Sequence, residues 1–202
     1  MSHAYGPGGN GDAPGFVLET WFNPPATQSL AMPGWFGRHY ENMRRYRYMA
    51  CGGALYMLGE SDIILAAEHA TFFDPHTTYG MVSAYEAIAM AQRMPFGEVA
   101  RMSLMGTAER VSARRAYEIG LVSEVVPGEE VVAAAVRAAA TIAAFPTEAV
   151  QGTVRAVWSA KEAARTQAMA QAQHLVALGN ADAARQAELF AARGRGDGFR
   201  TR

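Results

Sequence analysis

The chain has 202 residues, half of them apolar, with 18 basic and 19 acidic side chains and a formal net charge of −1. That length suits one domain, or one domain with an extension, and a charge so near zero gives no global field to draw in nucleic acid or an anionic membrane. The apolar runs are broken by polar residues well short of a membrane span, the first residues lack the basic start and apolar run of a secretory signal, and the single Cys51 excludes an internal disulfide framework, so a soluble cytoplasmic protein is expected.

Residues 1–15, rich in Gly, Pro and Asn, read as a flexible tail. Residues 16–22 suit a short strand, stopped by Asn23-Pro24-Pro25, and Pro33-Gly34 marks another turn. Residues 35–49 carry Trp35, Phe36, Tyr40, Met43 and Tyr46 at helical spacing. Arg38, His39, Arg44, Arg45 and Arg47 lie in the same stretch and read as a solvated helix face or as a contact for ligand phosphates. Gly52-Gly53 then leads into a short buried helix over 54–59. The apolar run 62–67 has the character of a buried parallel strand, and 71–73 that of a second, shorter one. Asp74-Pro75 turns the chain.

Beyond Ser83 the pattern is helical. Ser83 is placed to cap a helix over 84–94, which Pro95 breaks. Residues 98–105 form another helix, stopped by Gly106. Ser112 caps a helix over 113–119, with Gly120 just past its end. Residues 121–126 form a strand ended by Pro127. Alanine-rich helices follow over 129–144 and from Thr147 to about residue 178, then a last one over 182–192 and a Gly/Arg tail. Few short strands followed by many helices argue for an α/β core with a helical C-terminal region. The organisation expected is a tail over 1–15, an atypical segment over 16–49, a partial α/β core over 50–127 and a helical region over 128–202.

Two segments carry a family resemblance. Ala50-Cys51-Gly52-Gly53-Ala54-Leu55, leading to Ser61-Asp62-Ile63-Ile64-Leu65-Ala66-Ala67-Glu68-His69-Ala70-Thr71-Phe72, resembles the A-x-G-G-G … CDI-x-x-A-x-x-x-A-x-F signature of the crotonase superfamily, the enoyl-CoA hydratases and isomerases. Leu104-Met105-Gly106, Val111-Ser112-Ala113, Ala116, Glu118-Ile119-Gly120-Leu121-Val122 and Val125-Val126-Pro127 are similar to that family's L-x-x-TG-x-x-[IV]SA-x-x-A-x-x-[IV]GLV-x-x-VVP segment. The resemblance runs from about Ala50 to the end of the chain and largely fails before it. It implies a β-β-α spiral core, truncated at the N-terminus, followed by a helical trimerising region, an acyl-CoA thioester as the small-molecule partner, and a homotrimer or dimer of trimers. It implies no resident cofactor, since coenzyme A arrives with the substrate, and neither a nucleic-acid nor a membrane partner.

In that family two backbone N–H groups hold the thioester oxygen and stabilise its developing negative charge. Gly53 matches the glycine that supplies one of them. The pair Gly52-Gly53 suits such close backbone approach, and suits equally a tight strand-to-helix turn. The resemblance also implies two catalytic glutamates, and their positions hold Tyr56 and His76, so two-glutamate water addition does not carry over. An imidazole titrates near neutrality, and His76 reads as an acid/base group or as a turn residue satisfying a carbonyl. Tyr56 reads as a pocket wall or a hydrogen-bond donor. Glu86 is the nearest other carboxylate and a second candidate base, or a first-turn acid stabilising its helix. Asp74 reads as a turn former and Asp62 as a partner for backbone amides. Arg193 and Arg195 are placed to meet the nucleotide end of coenzyme A. Cys51 reads as a small buried hydrophobe. His3, His39, His69, His76 and His174 lack ligand spacing, so no metal is implied.

The family's first oxyanion loop, of A-G-x-D type, has no counterpart in residues 1–49; Ser29-Leu30-Ala31-Met32-Pro33-Gly34 is the poor best match. The apolar strand that enters the glycine motif is also expected to be missing, with Arg47-Tyr48-Met49 in its place. The function expected is that of an enoyl-CoA hydratase/isomerase-like enzyme using Gly53 and His76. The alternative is a non-catalytic acyl-CoA-binding or oligomerising relative.

Overall fold

The computed structural model describes residues 49–179, 185–192 and 198–202. The readings made for residues 1–48, and for Arg193 and Arg195, lie outside the described residues.

Strand β1 (Met49–Cys51) enters the glycine turn and runs into helix α1 (Gly53–Gly59). This corrects the sequence reading, which carried a helix through Met49 and left no strand there. β1 pairs in parallel register with β3 (Thr71–Phe73), Met49 opposite Thr71 and Cys51 opposite Phe73. β3 in turn pairs antiparallel with β4 (Glu109–Ser112), and β4 pairs parallel with β6 (Arg200–Thr201), giving the order β1-β3-β4-β6. A second sheet joins β2 (Leu65–Ala67) to β5 (Glu124–Val126) in parallel. The strands expected over 62–67 and 121–126 thus shrink to their last three residues.

The helices α2 (Tyr85–Ala91), α3 (Phe96–Met105), α4 (Ala113–Glu118), α5 (Val131–Ala143), α6 (Thr147–Gly179) and α7 (Gln186–Ala192) complete the order. Ser112 caps α4, its Oγ accepting from the Arg115 N–H at 3.2 Å, one of the first-turn donors a helix cannot satisfy itself. The core lies between α1, α2 and the two small sheets. It is built from Ala50, Leu55, Leu58, Phe72, Met90, Val111, Leu121 and their neighbours.

One glycine sets the spacing within that core. A Cβ at Gly59 would stand 2.4 Å from the Ala89 Cβ and about as close as 3.0 Å to its backbone, so α1 and α2 touch where only hydrogen fits.

Helix α6 lies against the body along one stripe. Trp158 donates its indole N–H to Asp62 Oδ1 at 2.6 Å, Lys161 reaches the Gly59 carbonyl at 3.4 Å, and Arg165 forks onto Glu60 at 3.0 and 2.6 Å. Asp62 therefore receives a side chain from a distant helix, where the sequence suggested backbone amides. Among the described residues no single helix is long and apolar enough to cross a membrane.

At the start of β4, the buried Glu109 takes both arms of the Arg101 guanidinium at 2.7 Å and meets Arg202 Nε at 2.5 Å. Hydrogen bonds from Arg101 hold its carboxyl down to about 2, with the Arg202 charge adding. The unfolded value of a glutamate is about 4.3. A carboxylate depressed on folding contributes stability above its unfolded value and loses it as pH falls through the folded one. E109Q is therefore less stable than wild type at neutral pH, and the gap closes between about pH 4 and pH 2. Urea unfolding across that range measures it.

Candidate active site

The site is built where β1 and β3 end side by side. Gly52 follows β1 with φ +56° and ψ −129°, backbone that an L side chain rarely enters. The turn aims the N-terminus of α1 outward. The N–H of Gly53 belongs to the helix's unsatisfied first turn. Gly53 is exposed, and a Cβ there would meet nothing within 4 Å.

β3 ends on Asp74, Pro75 and His76, followed by a 3₁₀ turn, Thr77–Tyr79. The imidazole folds back over the glycine turn: the Cβ direction of Gly52 points at His76 Cε1 and Pro75, each 3.8 Å away. Asp74 is 0% exposed. Its Oδ1 accepts the His76 backbone N–H at 3.1 Å and lies 2.5 Å from His76 Nδ1, and its Oδ2 accepts the Ser83 hydroxyl. Glu86, in the first turn of α2, places Oε1 3.9 Å from His76 Nε2. The structure thus brings Gly52, Gly53, His76 and Glu86 to one place. His76 Nδ1 is paired with a carboxylate, not with the backbone carbonyl that the turn reading supposed.

The two residues that sequence reasoning undervalued here are Asp74 and Ser83. Asp74 does form the turn, through the His76 N–H, and it also takes the ring. Ser83 does not cap α2: the N-cap residue is Ala84, without a side-chain bond, and the serine hydroxyl goes to Asp74. The D-P-H spacing was the available signal for the Asp74–His76 pair. Nothing local distinguishes Ser83 from a helix cap.

Tyr56 sits on α1 with its ring edge-on to Tyr85, centroids 6.4 Å apart. The hydrogen bond from Asp74 raises the His76 pKa above the ordinary imidazole value against the opposing effect of burial, and the charges of Asp74 and Glu86 add to it. Burial pushes the Cys51 thiol up to about 11, Arg110 opposing and Asp74 reinforcing, so the sulfur is protonated at neutral pH and no nucleophile. Among the described residues no group of His, Cys, Asp and Glu could hold a metal ion.

At the end of the 3₁₀ turn, Tyr79 stacks flat on Phe190 of α7 at 3.8 Å, and Gln186 of the same helix reaches Met81. On the other side Thr77 donates to the Ser103 carbonyl at 2.7 Å, and Thr78 accepts the Thr107 N–H at 2.9 Å. The loop bearing His76 is therefore pinned from both flanks.

A parallel strand pair brings a glycine turn, the start of a helix and an imidazole to one spot of a mixed α/β fold. The profile of the enoyl-CoA hydratase/isomerase family matches residues 48–191, and the chain belongs to that family, within the crotonase superfamily. It is 32% identical over 126 residues to the probable enoyl-CoA hydratase EchA12 of Mycobacterium tuberculosis, covering 62% of this chain and 44% of that protein. It is 36% identical over 112 residues to the (7aS)-7a-methyl-1,5-dioxo-2,3,5,6,7,7a-hexahydro-1H-indene-carboxyl-CoA hydrolase of the same species, covering 55% and 41%. Among solved structures, an enoyl-CoA hydratase/isomerase from Mycobacterium paratuberculosis superposes with a TM-score of 0.63 at 27% identity, over 72% of this chain and 57% of that one. The chain spans less than half the length of these curated relatives.

Proposed function

We propose that the chain binds an acyl-CoA thioester and moves a proton on it, as an enoyl-CoA hydratase/isomerase-like enzyme. The observation that carries this reading is the seating of His76 against the Gly52 turn. His76 Cε1 lies 3.8 Å along the Cβ direction of Gly52, and the next residue is Gly53, whose N–H would face the thioester oxygen in this reading. In this reading that N–H stabilises the enolate oxygen, His76 takes and returns the proton, and Glu86 is the second acid/base group. Gly52 and the wall formed by Tyr56 border the thioester, and Arg193 and Arg195 meet the nucleotide end. Coenzyme A comes with the substrate, so no resident cofactor is needed. With Tyr56 and His76 standing where the family pattern has glutamates, proton shift along the acyl chain is as good a reading as hydration.

The exposed Val132, Val136, Phe145, Val157 and Leu175 on α5 and α6 and between them support a homotrimer or dimer of trimers, since apolar surface of this kind is covered by assembly.

The test is exchange of the C2 hydrogen of butyryl-CoA in D₂O, followed by mass spectrometry, beside turnover of crotonyl-CoA and a 3-enoyl-CoA and calorimetric binding. Exchange above the uncatalysed rate is expected. Binding with neither exchange nor turnover would assign the chain as a non-catalytic acyl-CoA binder.

A second reading is favoured by one relative's description as a carboxyl-CoA hydrolase. A neutral imidazole can deprotonate water as readily as carbon, and that water would attack a carbonyl. Release of a free acid from a keto-acyl-CoA, with no exchange on butyryl-CoA, would select it.

A further inference from the structure

A turn requires of Asp74 only that it accept the His76 N–H. The remaining contacts exceed that need. The carboxylate is fully buried, which is costly for a charge unless its lone pairs are filled; here they are filled by the His76 backbone, the His76 ring and the Ser83 hydroxyl. An ionised carboxylate only accepts, so the hydrogen between Asp74 and the ring belongs to Nδ1. The other nitrogen, Nε2, then carries the lone pair. It faces Glu86 Oε1 at 3.9 Å, too far for a direct hydrogen bond and a distance that one water molecule bridges.

We propose that Asp74, anchored by Ser83, is a positioning residue for His76: it fixes the neutral imidazole as the Nδ1–H tautomer and leaves Nε2, facing Glu86, as the atom that takes and gives the proton. The inference rests on the reading of His76 as proton carrier. In the step it serves, Nε2 takes the proton from C2 of the thioester and the C–H electron pair passes into the enolate, whose oxygen the Gly53 N–H holds. The imidazolium so formed is paired with Asp74, and the same proton returns from Nε2 to the product carbon. Among the described residues the charged groups facing the ring are Asp74 and Glu86; the Cys51 thiol beside Asp74 is neutral and adds no charge.

The experiment is long-range ¹H–¹⁵N spectroscopy of the histidine rings in the full chain, titrated with pH, for wild type, D74N, D74A and S83A. Wild type is expected to show neutral His76 as the Nδ1–H tautomer. D74N retains a carbonyl oxygen that can face Nδ1 and turns its amide to Ser83, so the tautomer persists while the titration midpoint falls. D74A removes both charge and acceptor, and the Nε2–H tautomer becomes populated. S83A lies between wild type and D74A. On the same samples the acid limb of kcat/KM moves to lower pH in D74N, and kcat falls while KM holds. If D74A fails to fold, D74N still decides. A wild-type ring already in the Nε2–H form, or a midpoint unmoved in D74N, overturns the inference and leaves the acyl-CoA reading standing. The expected spectra from a wild type that neither exchanges nor turns over a thioester would remove the proton-transfer reading, and with it the role of Nε2, and leave the tautomer assignment intact.

Discussion

His76→Ala is expected to lower turnover of an acyl-CoA thioester by about 10²- to 10⁴-fold, the range for loss of a positioned acid/base group, while calorimetric affinity changes little. The ring lies against the glycine turn, its Cε1 3.8 Å along the Cβ direction of Gly52. Glu86 Oε1 stands 3.9 Å from the ring's Nε2, and a residual rate in the variant is expected to fall further when Glu86 is replaced as well. Equal rates for the two proteins would end the assignment. The substitution has a second signature, in stability. Because Asp74 raises the folded pKa of His76, the pair stabilises the fold fully below the unfolded imidazole value, and this contribution is lost as pH rises through the folded one. The stability difference between wild type and H76A is therefore larger in mild acid than in alkali, which denaturant unfolding at pH 5 and pH 9 reads directly.

Gly59→Ala is expected to destabilise the fold by about 1–3 kcal/mol, the usual cost of forcing an extra carbon into a packed core, seen as a fall of a few degrees in melting temperature. The added carbon would overlap Ala89 at 2.4 Å, and the neighbour is a short side chain on helix backbone that cannot swing away. Relief requires α1 and α2 to part, which also separates Gly53 from Glu86. Gly53→Ala is the control. It adds the same atom to the same helix, into open space, and trades a glycine for a better helix former. Its melting temperature is expected to hold while thioester binding weakens, because the new methyl stands where the ligand would. Differential scanning calorimetry of the two variants separates packing from binding.

The parts of the fold that were legible in the sequence are those decided by neighbours in the chain. Ser112 reads as a cap because its acceptor need is met three residues on, and Gly52-Gly53 reads as a turn into a helix because the backbone there admits little else. The parts missed or misread are decided at long range. β4 carries Glu109 and Arg110, which look like loop or helix residues. They form a strand because they pair with Arg200 and Thr201 while the next two residues, Val111 and Ser112, pair with Phe72 and Thr71, and because Arg101 and Arg202 neutralise the carboxylate. β1 is three residues long, too short for any alternation to register, and exists through its pairing with β3. At the site, His76 and Glu86 could be picked out as candidates by position. The carboxylate behind the imidazole could not, since an aspartate before a proline reads as a turn whether it is exposed or buried. Ser83 was misassigned for a related reason: a hydrogen bond to a buried charge is stronger than one to a helix N–H.

The contacts that dock α6 reach the site through α1. Arg93 and Lys161 both donate to the carbonyl of Gly59, at the end of α1 remote from Gly53. The peptide dipoles of α1 leave partial negative charge there and partial positive charge at Gly53. The two cations on the negative pole share that end of the helix with the carboxylates of Glu60 and Asp62. A seven-residue helix spans only about 10 Å, so the long C-terminal helix that braces the fold grips, through Lys161, the far end of the same short helix that opens at the glycine turn.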